Sequence, residues 1–130
     1  MKLGDGIQSA DWKMEKHVPT IDAPDVVKAD EVFTVTVSVG KEIAHPNTTA
    51  HHIAWIELYF KPEGDKFLYE VGRFDFTGHG ASAKGADTGP VYTQPSAVIP
   101  VKVSGSGTLV AVGSCNIHGL WEGSKEVKVA

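Results

Sequence analysis

Two short stretches of the chain, Cys115-Asn-Ile-His118 and His45-Pro-Asn-Thr-Thr-Ala-His51-His52, carry the residue types that bind transition metals. In the first, a thiolate and an imidazole three positions apart emerge together on a loop after a strand, and such a pair can close on one iron, copper or zinc ion. Taken alone the spacing is a weak signal, because a buried cysteine beside an ordinary loop histidine explains it as well. Cys115 is the sole cysteine, so it forms no internal disulfide and is a buried bystander, a reactive thiol or a ligand.

In the second stretch Pro46 holds His45 extended, and the offset to His51 lets a turn bring both imidazoles to one point. Strand alternation then separates the adjacent pair. His52 shares a face with Ala54, Ile56, Leu58 and Phe60, the apolar and therefore inward one, so it reads as a packed or hydrogen-bonded histidine. His51 falls on the other face and is the candidate ligand. A third element, Glu15-Lys16-His17-Val18-Pro19, would by itself suggest only a solvent histidine. Beside the other two it adds His17 to a set of four histidines (17, 45, 51 and 118) and one thiolate. That set overfills a four-coordinate zinc site and suits a five-coordinate iron with one position open to substrate. Glu15 and Lys16 would ordinarily be a solvated pair worth under about 1 kcal/mol, but both adjoin a candidate ligand. His79, in a Gly-rich loop, reads as a surface residue, and the backbone amides of Asn116 and Ile117 as groups that could hydrogen-bond the sulfur.

These residues need a scaffold, and the alternation predicts strands. Val32–Val39 places Phe33, Val35, Val37 and Val39 on one face, the pattern of a half-buried strand. Further strands are predicted over His51–Phe60, Phe67–Phe74, Val98–Val103, Thr108–Gly113 and Glu126–Val129. Lys61-Pro-Glu-Gly-Asp65 and Ser104-Gly-Ser-Gly107 are turn chemistry, and Thr77–Pro95 is a long loop. No segment has a helical period. The expectation is an all-β fold, an antiparallel β-sandwich of Greek-key, immunoglobulin-like type, forming one domain over residues 1–130.

Composition narrows the function classes. The chain has 130 residues, 42% hydrophobic and 22% charged, with a net charge of −4. There is no basic stripe for a phosphate backbone, which argues against nucleic acid, and no apolar run near the roughly 20 residues that span a bilayer. The start lacks the apolar core of a signal peptide, so a cytoplasmic protein is expected. Gly78-His-Gly-Ala-Ser-Ala83 matches a dinucleotide fingerprint in form only, since no helix follows to face the phosphates. A blue-copper electron carrier normally adds a weak axial methionine, and here only Met1 and Met14 exist. A cysteine hydrolase lacks any recognisable nucleophile motif.

The three elements Glu15-Lys-His-Val-Pro19, Gly40-Lys-Glu-Ile-Ala-His45-Pro-Asn-Thr-Thr-Ala-His51-His-Ile53 and Cys115-Asn-Ile-His-Gly-Leu-Trp121, with Trp55–Phe60 and Gly72–Phe76, together resemble the superoxide reductases. The resemblance runs through most of the chain in order. It is to the one-iron class, the neelaredoxins, because the two-iron members carry an extra four-cysteine domain. It implies an iron held by Nε of His17, His45 and His51 and Nδ of His118 in a plane, with Cys115 axial. It further implies that Glu15 fills the open position in the ferric state and Lys16 sits near it. The implied activity is reduction of superoxide to hydrogen peroxide, with a rubredoxin-like electron donor and a homotetrameric assembly.

Overall fold

The computed structural model describes residues 1–130. It contains eight strands, β1 (Pro19–Asp22), β2 (Val26–Val27), β3 (Phe33–Val39), β4 (Ile53–Pro62), β5 (Tyr69–Asp75), β6 (Ser96–Val101), β7 (Gly107–Cys115) and β8 (Gly119–Val129), and one short 3-10 turn at Leu3–Gly6. They form two sheets, β1-β3-β6 and β2-β8-β7-β4-β5, antiparallel except where β2 runs parallel to β8. The chain changes sheet after β1, β2, β3, β5 and β6, and both sheets contribute to one core.

The alternating strands behave as their patterns require. Phe33, Val35, Val37 and Val39 of β3 point inward, opposite Ile56, Leu58 and Phe60 of β4 and Leu109 and Ala111 of β7, in one continuous core. Each fully buried branched side chain there contributes about 1.5–3 kcal/mol relative to exposure. Differences from the expected strands have local causes. β1 and β2 are four and two residues long, too short to show a period. β8 begins at Gly119 rather than near Glu126, because its first half, Leu120-Trp-Glu-Gly-Ser124, is only partly buried along its length and shows no clean apolar face. Residues 77–95 form no named strand, as expected, and are held by bridges such as His79 to Tyr92.

One end of the sandwich collects the candidate residues. The β4–β7 pairing terminates at Ile53 opposite Cys115, and β7 turns into β8 through Asn116, Ile117 and His118, with Gly119 at φ +80°, a left-handed conformation that favours glycine. The β3–β4 connection, carrying His45 and His51, arrives at the same end, since Pro19 of β1 pairs with Val39 at the end of β3. His17 immediately precedes β1. Three sequence-distant loops thus meet because the strands that bear them are packed side by side.

Candidate metal centre

Four imidazoles form a closed ring. His17 and His45 have centroids 4.9 Å apart, His45 and His51 4.8 Å, His51 and His118 5.0 Å, and His118 and His17 4.8 Å, each pair steeply tilted. The possible ligand atoms of His17, His45, His51 and Cys115 all lie within 4.8 Å of one another. Nδ1 of His118 joins them, 3.1 Å from Nε2 of His17 and 3.7 Å from Sγ of Cys115. Two nitrogens bound about 2.1 Å from a common ion, at right angles, stand about 3.0 Å apart, so the spacing is that of neighbouring ligands.

The orientation of two of the rings has a visible cause. Nδ1 of His17 and its backbone amide both contact Oε1 of Glu15, at 2.5 and 3.0 Å, which turns Nε2 toward the cluster. Nδ1 of His45 donates to the carbonyl of Pro46 at 2.7 Å, with the same result. Nε2 of His45 and Nε2 of His51 are buried without any hydrogen-bond partner. Two adjacent orphaned lone pairs would each cost about 1–3 kcal/mol, and a shared cation satisfies both. Burial first, then neighbouring positive charge that includes Lys16, lowers the pKa of His51; burial brings His45 down to about 4 against the pull of its bond to Pro46. Both rings are therefore neutral, the ligating form, at neutral pH. The hydrogen bond from His17 lowers the pKa of Glu15, keeping it ionised.

Cys115 is buried and free. Its sulfur accepts a hydrogen bond from the backbone amide of His118 at 3.3 Å. The expected donors were Asn116 and Ile117; the Asn116 amide instead bonds the carbonyl of His52, because the turn tightens around the sulfur two residues later. His118 is the most exposed of the four histidines.

His52 stays out of the cluster, with Nδ1 on the carbonyl of Thr48 at 2.8 Å and its ring stacked on His79 at 3.6 Å. The alternation that predicted this does not extend so far, for β4 starts at Ile53 and its register with β7 shifts between Ile53 and Trp55. His79 is not a surface residue. It is partly buried, bonded to Asn47 Oδ1 at 2.9 Å and to the Phe76 carbonyl at 2.6 Å, and so fastens the long loop to the ligand loop. Sequence reasoning also missed Trp121, whose ring stacks on His17 and whose Nε1 donates to the carbonyl of His118 at 3.1 Å. The largest surface cleft, about 1270 Å³, lies at the opposite end of the sandwich around Pro62 and Ser104 and contains no histidine or cysteine.

The arrangement is a cysteine sulfur and four imidazoles converging on one point, a donor set for a soft-to-borderline transition metal. Known proteins resemble this chain over nearly its whole length. The neelaredoxin of Megalodesulfovibrio gigas is 63% identical over 127 residues, 98% of each chain. The superoxide reductase of Pyrococcus furiosus is 53% identical over 120 residues, 92% of this chain and 94% of that one. The solved structure of superoxide reductase (neelaredoxin) from Archaeoglobus fulgidus in the reduced form superposes with a TM-score of 0.87 at 56% identity, covering 95% of this chain and 99% of that one. With residues 9–124 also matching the desulfoferrodoxin family, the chain belongs to that family.

Proposed function

We propose that the protein is a one-iron superoxide reductase, a single domain over residues 1–130 in which His17, His45, His51, His118 and Cys115 hold the metal. The observation that carries this reading is the pair of buried, unpartnered Nε2 atoms inside a closed ring of imidazoles beside the sulfur of Cys115. An iron bound there would supply the single electron and the open coordination position, cycling between ferrous and ferric forms. In the net reaction one superoxide takes up one electron and two protons and leaves as hydrogen peroxide.

The residues divide the remaining work. Cys115 is the electron-rich donor, as thiolates are in haem proteins that push density toward bound oxygen, and the His118 amide at 3.3 Å moderates that donation. A ferrous ion held by four imidazoles and a thiolate would carry a local charge of about +1. That local charge attracts an anion despite the chain's net −4, since long-range fields are screened over about 8 Å at physiological salt. Lys16 adds to it. A cation about 4 Å from superoxide contributes roughly 1 kcal/mol in water and about 4 at an effective dielectric of 20. Lys16→Ala is therefore expected to slow superoxide capture by about tenfold or more at low salt and to flatten the salt dependence; an unchanged rate and slope in stopped-flow mixing would remove that role.

Glu15 lies against His17 here and is proposed as a carboxylate that would leave that contact to bind an oxidised iron. Glu15→Ala is expected to change the visible spectrum of the oxidised protein and its pH dependence, and an identical spectrum would end that assignment. A rubredoxin-like donor would find the exposed edge of His118 beside the exposed Ile117. Homotetramer assembly has apolar surface available at Phe67, Leu68 and Tyr69 near the free edge of β5; a monomer by sedimentation of the iron-loaded protein would contradict it. A cytoplasmic location accords with the lone free thiol.

The test of the reaction is to mix anaerobically reduced, iron-loaded protein with a known dose of superoxide and quantify peroxide and dioxygen together. Peroxide with stoichiometric oxidation of the iron and no dioxygen is expected. Equal peroxide and dioxygen would make the protein a dismutase.

A further inference from the structure

The β4–β7 ladder ends at Ile53 opposite Cys115, one residue before β7 leaves the sheet in its turn. His51 and its neighbours therefore run past the last strand residue that could pair with them. The side chain of Asn116 takes that place. Its Oδ1 accepts from the amide of His52 at 2.8 Å, its Nδ2 donates to the carbonyl of Ala50 at 2.9 Å, and its own backbone amide donates to the carbonyl of His52 at 3.2 Å. The two side-chain bonds bracket His51. On the other side Thr48 grips the same residue, its Oγ1 accepting from the His51 amide at 3.0 Å and its amide donating to the His51 carbonyl at 2.9 Å.

We infer that Asn116 is a positioning residue that replaces a missing strand, locking the backbone around His51 to the residue next to Cys115 and so fixing the distance between two proposed ligands from different loops. The inference rests on the reading of the site given above. Only a carboxamide fits, for it must accept from one peptide and donate to the next, as a backbone unit would. A carboxylate of the same shape keeps the bond to His52 but sets a charged oxygen against the Ala50 carbonyl. Asn116 is itself exposed and outside the core, so the sandwich does not need it.

The experiment compares iron-loaded wild type, Asn116→Asp and Asn116→Ala. Ferrous affinity is read by chelator competition, and the sulfur-to-iron absorption band is read in the oxidised protein. Groups that orient metal ligands typically contribute 10–100-fold in affinity. Asn116→Asp is expected to weaken iron binding by about that range and Asn116→Ala by about tenfold, both with a displaced band and with metal-free unfolding temperatures close to wild type. A displaced band is the signature that a loss of stability alone does not produce. Wild-type affinity and an unmoved band in both variants would overturn the role of Asn116 while leaving the iron site intact. Failure of the wild-type chain to take up iron would overturn the site, and this role with it.

Discussion

Cys115→Ser is expected to abolish the visible sulfur-to-iron absorption of the oxidised protein and to lower superoxide reduction by more than about 100-fold, since groups that merely orient ligands already contribute 10–100-fold. Serine has nearly the same shape, but its hydroxyl does not ionise in the range where a thiol does, and an uncharged oxygen is a poor ligand for a soft site. The positive charge at the centre would rise by one, and the electron-rich donor would be lost. The fold should persist. Cys115 is 3% exposed at the end of β7, and placing a hydroxyl there costs about 1–3 kcal/mol, less than the roughly 5–15 kcal/mol of a typical domain. Circular dichroism and iron affinity on the same sample separate the two effects. A variant that kept both band and activity would remove Cys115 from the site.

Gly123→Ala is expected to produce the largest loss of stability outside the core. Gly123 lies on β8 opposite Ala111, where β1 crosses over it, and a Cβ built there would overlap the carbonyl oxygen of Pro19. The obstacle is backbone, not a side chain able to swing away, so β1 must move. Overpacking of this kind costs typically 1–3 kcal/mol or more, a fall in Tm on the order of 10 °C. The displacement would reach the site, because Pro19 is two residues from His17 and His17 is itself buried. Iron affinity should therefore fall with Tm. Gly105→Ala is the control, as a Cβ there meets nothing within 4 Å. Equal unfolding temperatures for the two variants would mean that β1 slides without resistance.

The cluster was legible in the sequence to the extent that its signals were local. Cys115 and His118 sit three apart at the end of an apolar strand, and the alternation of β3 and β4, with the turn chemistry between strands, was sufficient for an all-β sandwich. His51 lies in the cluster and His52 outside it, as the alternation implied, although the strand in fact begins at Ile53. The remaining features depend on partners far along the chain. His79 bonds Asn47, Trp121 stacks on His17, and Asn116 brackets His51, and none of these pairings leaves a mark in spacing or period. Likewise β1 and the first half of β8 gain their conformation from the sheets they join. A four-residue strand that opens on proline, and a strand start rich in polar residues, have no pattern of their own.

Donor atoms from three sequence-distant segments of one chain are proposed to close on a single iron. Metal analysis with iron X-ray absorption on the anaerobically reduced protein tests it most directly. One iron per chain, with one sulfur neighbour and four imidazole nitrogens, is the expected result. An iron without a sulfur neighbour, or a site satisfied by two imidazoles and the thiolate as in a blue-copper carrier, would contradict it.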